Sequence, residues 1–340
     1  MNDGDRFRAN FQSTLAILHM DDDAPADPGP GDSQVSDLRE NGAAEHPFDR
    51  IEEALDVAAG GATIYVHGGT YRETIDLLGK RVELTGFDPD DPSKGVWPVI
   101  DGSGSSGPAV SFTHGEDANC VLRGFVITGG DSTSAGVIQC LASSPTIANC
   151  LIVGNRAMGS RSAAVYCADS NAVFINCTIA DNWVGQNGAA LRLENSPVLV
   201  VNSIVWGNTP SQISAAGIRA PSIRYSCIAG GWPGPGNIAA DPLFAHVGRW
   251  VDGLHPDLTV SPHHPNAVWI AGDYHLQSQA GRWDASLRRW VQDAVTSPCV
   301  DAGDPGSPIG DEPSPNGGMI DMGAYGGTAE AAPEKHPPTP

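Results

Sequence analysis

Lysine is almost missing from this chain. It supplies three of the 340 residues, and 19 basic side chains in all stand against 40 acidic ones, a formal net charge of -21. A nucleic-acid duplex or an anionic bilayer attracts basic patches, so this balance excludes both as partners. No apolar run approaches the roughly 20 residues of a membrane span, and the apolar stretch at residues 15–18 is too short for a signal-peptide core. No CxxC pair or Cys/His zinc spacing occurs, and seven cysteines, an odd number, do not make a fully paired disulfide framework, so most read as core fillers. Long helices are excluded because 41 glycines and 27 prolines make one residue in five a helix breaker. No P-loop, dinucleotide fingerprint or Ser/His/Asp nucleophile signature is present, which removes nucleotide chemistry.

What is present is a repeat. The phrases RGFVITGG, NCLIVGN, NCTIADN, NSIVWGN and YSCIAGG align at Gly124, Asn149, Asn176, Asn202 and Tyr225, at intervals of 25, 27, 26 and 23 residues. A second register aligns Val110, Ile138, Val165, Leu191 and Ile218, at intervals of 28, 27, 26 and 27. Each phrase alternates at period two, so its apolar positions fall on one face of a strand. Leu122, Ile147, Phe174, Val200 and Ile223 form one inward column, and Ile127, Ile152, Ile179, Val205 and Ile228 a second. Phe112, Cys140, Cys167, Leu193 and Ala220 form a third. Short strands, corners of Gly, Asn or Ser and a period near 26 describe an all-β parallel β-helix, a solenoid whose coils pair with their neighbours. Asn149, Asn176 and Asn202 stack at one corner, and Asn155, Asn182 and Asn208 at another, where side-chain amides bond the next coil.

The chain divides into an acidic segment at residues 1–45, the β-helix at 46–240, an irregular Trp-rich region at 241–327 and a disordered, linker-like tail at 328–340. HPFDRIEEALDVAAGG places Phe48, Ile51, Ala54, Leu55 and Ala58 on one helical face and reads as an amphipathic cap over the first coil. GRWDASLRRWVQD reads as a hairpin with Trp283 opposite Trp290, covering the last coil.

SPTIANCLIVGN, VHGGTY, DPLF, DYHL, SPCVDAGDP and DMGAYGG resemble the right-handed parallel β-helix repeat proteins of the pectin-lyase-like superfamily, of the bacterial surface and secreted type. The resemblance spans roughly residues 44–327 and implies an extracellular or cell-surface protein with a polysaccharide or surface glycan as partner; a monomer is expected. In the lyases of that superfamily the substrate lies on the outer face of one sheet. Here the outward column beside the Val165 register is Ser111, Gln139, Tyr166, Arg192 and Arg219, with Glu194 two places beyond Arg192. The loops entering that sheet add Arg161, Trp183 and Asn187.

A β-eliminating lyase needs a base and a group that neutralises the uronate carboxylate. Tyr166 fits the proton-transfer role, and Arg192 and Arg219 the neutralising one. Trp183 would stack on a sugar ring, with Glu194, Gln139, Arg161 and Asn187 as further substrate contacts. Glu194 is the one carboxylate in the column, which counts against a two-carboxylate glycosidase. Calcium is the expected ion, with Asp21 and Asp23 in DDDAPADPGPGD, and Asp301 and Asp304 in DAGDP, as ligands. Two functions follow. One is a carbohydrate-active module that binds, and by elimination cleaves, an acidic polysaccharide. The other is a non-catalytic surface or structural solenoid.

Overall fold

The computed structural model describes residues 17–21, 40–87, 96–133, 136–159, 163–185 and 188–333. Its centre is the parallel β-helix that the repeats predict. Sheet I stacks eight strands, from Ile17–Met20 and Thr63–Val66 through Thr146–Ala148 and Val173–Ile175 to Ser222–Arg224. Sheet II stacks seven, from Thr70–Tyr71 to Cys227–Ile228, and sheet III six, from Ile75–Asp76 to Ile213–Ala216. A short sheet of Asp131–Ser132, Arg156–Ala157 and Trp183–Val184 lies between sheets II and III along the chain. Within these four sheets every pairing is parallel, coil to coil.

Single left-handed residues make the corners. Between sheets I and II, Asn149, Asn176, Asn202 and Tyr225 all have φ between 47 and 52°, a conformation Asn adopts more readily than most residues. The first two inward columns are enclosed, with Leu122, Ile147, Phe174 and Val200 at 0% exposed, whereas Ala220, expected to end the third, is exposed because the last strand pairs Ala215 with Leu193. All seven cysteines are buried and unpaired. Burial pushes the Cys150 thiol up to about 12, which makes it inert core filling.

The cap differs from expectation. Ile17–Met20, inside what reads as an acidic segment, is the outermost rung of sheet I and pairs with Thr63–Val66. The helix is short, Ile51–Val57, and buries Ile51, Ala54 and Leu55 against this end of the core. Seven residues are too few to hold a helix by themselves, and two coil side chains clamp it. Glu73 accepts hydrogen bonds from the Ile51 and Glu52 amides at 2.9 and 3.1 Å. Lys80 Nζ donates to the carbonyls of Leu55, Asp56 and Ala58 at the other end. Lys80→Met keeps the aliphatic stem and removes these bonds, so it is expected to lower stability by about 1–2 kcal/mol. Thermal unfolding checks this, and an unchanged midpoint would show the helix held by packing alone.

The Trp-rich region lies along the side of the stack, from Trp97 and Val126 of the early coils to Cys227 of the last one, rather than over the last coil alone. It forms Phe244–His246 against Asp273–Leu276, a meander of Arg249–Asp252, His255–Thr259 and Ala267–Ile270, and the hairpin Arg282–Asp284 with Arg289–Val291. The hairpin places Trp283 opposite Trp290 as expected. The region then runs back along the stack and buries the outer face of sheet II. Leu151, Val153, Ala180 and Ile204 there join Phe244, Tyr274, Leu276 and Met322 in a second core. The cause is chemical, because sheet II is apolar on both faces and needs cover on both.

The return segment also claims the first asparagine stack. Asn149 Nδ2 donates to the Ala324 and Gly326 carbonyls, each at 2.9 Å, and Asn176 Nδ2 to Asp321 O at 2.9 Å. Asn202 Oδ1 accepts from the Asp304 amide at 2.7 Å. The coil-to-coil ladder expected of both stacks therefore belongs chiefly to Asn155, Asn182 and Asn208. Among the described residues no helix is long and apolar enough to cross a membrane.

Candidate functional site

Strand pairing builds the outer column of sheet III as Asp76, Ser111, Gln139, Tyr166, Arg192 and Ser214. Ser214 occupies the place expected for Arg219. The last strand pairs Leu191 with Ile213, 22 residues on, so Ile218 is not an inward anchor and is 97% exposed. The reason is Gly217, which takes φ 103° beside the corner residue Asn195 and ends the strand. Arg219 lies in the following turn and donates to Asn171 Oδ1 at 2.6 Å.

Tyr166, Arg192 and Glu194 do come together. The Tyr166 hydroxyl donates to Glu194 Oε2 at 2.7 Å, and Arg192 Nη2 and Nε donate to Glu194 Oε1 at 2.8 and 3.1 Å. Tyr166 is 1% exposed, so its ring is buried rather than presented on the face. Gln139 is half-buried next to it in the column. Trp183 packs edge-on against His263 of the return segment, centroids 4.0 Å apart, so that ring contact occupies a side of the indole expected to stack on sugar. Arg161 and Asn187 lie outside the described residues.

Of the expected calcium ligands, Asp23 lies outside the described residues and Asp21 stands 3.6 Å from His67 Nδ1. Asp304 pairs with Arg224 at 3.3 Å and closes its own turn by accepting the Gly306 amide. The Asp301 amide donates to Asp321 Oδ1 at 2.8 Å. Asp301 and Asp304 thus take part in building the return loop.

A second site lies where the return segment meets sheet II, and no local spacing announces it. His275 is 2% exposed; its Nδ1 meets Asp273 Oδ1 at 2.6 Å and its Nε2 meets Glu330 Oε2 at 3.1 Å. Arg282 donates to Asp273 at 2.9 Å and to Asp293 at 3.1 Å. Burial opposes the charged imidazole, but the bonds to Asp273 and Glu330 outweigh it and raise the pKa above the ordinary value. Tyr325 is stacked on His275 at 3.6 Å and 15°, with Trp97 4.9 Å away on Tyr325.

Two clefts open on this Tyr325–His275 floor. One, of about 620 Å³, is bounded by His246, Arg249, Ile270 and Asp284. The other, of about 410 Å³, is bounded by Trp97, Val126, Trp283, Arg288 and Glu330. Both volumes fall within the range of small-molecule and oligosaccharide sites. Arg249 and Arg288 are exposed and make no ion pair among the described residues, whereas seven of the twelve described arginines do. The phrases DYHL and DMGAYGG, which carry the family resemblance, supply His275 and Tyr325. They were the available signal.

A protein family described as disaggregatase related matches residues 253–303, from the meander to the start of the return loop. A solved structure of a rhamnogalacturonan lyase is similar to this chain at 12% identity and a TM-score of 0.31, covering 77% of this chain and 81% of that one. No curated protein matches.

Proposed function

We propose that the protein is a glycan-binding β-helix that holds an acidic polysaccharide in the cleft between its return segment and sheet II. The observation that carries this reading is the pair of clefts sharing His275 and Tyr325. The Tyr325 phenol lines both clefts and the Trp97 and Trp283 indoles line the smaller one, rings that suit sugar faces beside hydrogen-bonding rims. Arg249 and Arg288 favour a carboxylate or sulfate on the ligand, because each has its guanidinium available for a bidentate contact. In a protein of net charge -21, these cations offset the repulsion an anionic chain meets elsewhere.

Elimination at the Tyr166 face is not part of this reading. The Tyr166 proton is already directed to Glu194, and Arg192 is committed to the same carboxylate. The protein is expected to bind pectate, alginate or a glycosaminoglycan without generating the unsaturated product that absorbs in the ultraviolet. Arg249→Ala with Arg288→Ala is expected to weaken binding by about tenfold or more, with a shallower salt dependence. Calorimetric titration across acidic and neutral glycans tests the proposal. Equal affinity for neutral and acidic chains, or no effect of the double substitution, would overturn it.

A further inference from the structure

The N-terminal end of sheet III carries a second cluster, independent of the glycan cleft. Ile75–Asp76 pairs with Val110–Phe112, which sets Asp76 beside Ser111. The next coil leaves Phe112 through Thr113 and brings back His114 and Glu116. His114 Nδ1 lies 3.2 Å from Asp76 Oδ1. One donor atom from each of Asp76, His114 and Glu116 lies within 4.8 Å of the other two.

The positions of these groups are fixed from behind. Asp76 Oδ1 accepts the Leu78 amide at 3.0 Å. Glu116, 3% exposed, accepts the Gly79 amide on Oε1 at 2.9 Å and the His114 amide on Oε2 at 3.0 Å. Ser143 also hydrogen-bonds the Glu116 carboxylate, which leaves a lone pair on one Glu116 oxygen and on Asp76 Oδ1. The turn at residues 78–79 closes tightly on His114: Gly79 has φ 70°, and a side chain there would begin 3.0 Å from the His114 carbonyl. Asp76 and His114 are each about half exposed, at 40% and 50%, so the open side of the cluster faces solvent.

We propose that Asp76, His114 and Glu116 bind a divalent cation of the zinc class. Zinc holds nitrogen and oxygen ligands at about 2.0–2.2 Å, which puts neighbouring ligands of a tetrahedron about 3.3–3.6 Å apart. The 3.2 Å separation of Asp76 and His114 needs little adjustment to reach that edge. The imidazole selects zinc-like ions over calcium and magnesium, which prefer all-oxygen shells. Three protein ligands and an open side leave a position for water or a ligand atom. The amides behind both carboxylates supply the orienting contacts that such sites require.

Titration of the chelator-treated full chain with zinc chloride by calorimetry tests the site. The expected result is one equivalent bound at micromolar or tighter affinity, with no heat from calcium or magnesium. His114→Ala and Asp76→Asn are each expected to reduce affinity at least tenfold while leaving the apo melting temperature unchanged, because both side chains are half exposed. His255→Ala, which removes a different surface His–Asp pair, is expected to bind zinc as the parent does. Cobalt is the second probe: its visible absorption should show mixed nitrogen and oxygen ligation that His114→Ala abolishes. No binding, calcium binding in place of zinc, or full affinity in both Asp76→Asn and His114→Ala would overturn the assignment.

Discussion

Asn182→Ala is expected to destabilise the protein by about 3–5 kcal/mol, the largest loss from any single polar side chain of the coil stack. Asn182 is 1% exposed and sits inside the corner that leaves sheet II. Its Oδ1 accepts from the Asn155 amide at 3.1 Å and from Asn155 Nδ2 at 2.9 Å. Its Nδ2 donates to the Ile152 carbonyl at 2.7 Å and to Asn208 Oδ1 at 2.9 Å. Alanine removes all four bonds, so groups on both neighbouring coils are left buried with fewer protein partners.

Asn149→Ala should behave differently. Asn149 ties the return segment to the corner between sheets I and II, so its loss loosens that segment and adds about 1 kcal/mol of left-handed backbone strain. Urea unfolding separates the two. Asn182→Ala shifts the main transition, whereas Asn149→Ala exposes the Trp-rich region first, visible in tryptophan emission. A loss below about 1 kcal/mol for Asn182→Ala would mean that the ladder is not what holds the corners.

The difference between the two stacks marks the limit of what the sequence reveals. Inward columns are legible because period two and single-residue corners recur in every coil, and Leu122, Ile147, Phe174 and Val200 fall where the alternation puts them. The last coil is not legible by extrapolation. A period near 26 predicts Ile218, but Gly217 supplies a corner five residues earlier than the repeat would, so the strand uses Ile213 and strands Arg219 in a turn. The covered face of sheet II did leave a signal. CLIVG and SIVWG are apolar at consecutive positions, which is the mark of a strand buried on both sides rather than of a solvated alternation. The cleft left almost none, since Trp97, His275, Trp283 and Tyr325 meet only after the chain has doubled back.

Glu312→Gln is expected to stabilise the protein at pH 8 by roughly 2–3 kcal/mol and to flatten its pH dependence between about 5 and 7. Glu312 is 6% exposed in the return loop, and its Oε1 accepts the Asp321 and Gly327 amides at 2.8 Å each. Its Oε2 is buried with no hydrogen-bond partner. Burial, with a smaller push from the charge of Asp301, raises its pKa from 4.5 to about 7, although the two amides favour ionisation. Burial and the charge of Glu312 likewise hold the Asp321 carboxyl well above its ordinary range.

The folded state therefore holds a proton that the unfolded chain releases near 4.5. Stability is greatest below that value, falls as pH rises toward about 7, and levels off above it. Glutamine imitates the protonated acid and keeps an oxygen for the two amides, so the share of the fall that belongs to Glu312 disappears, while the share that belongs to Asp321 remains. His275, with a raised pKa, adds a loss of stability that begins near 6.5 and continues through its folded value; the substitution leaves that part in place. Urea midpoints of parent and variant at pH 5 and pH 8 decide the matter. A parent no less stable at pH 8 than at pH 5 would show that Glu312 is ionised in the fold and that another group compensates its charge.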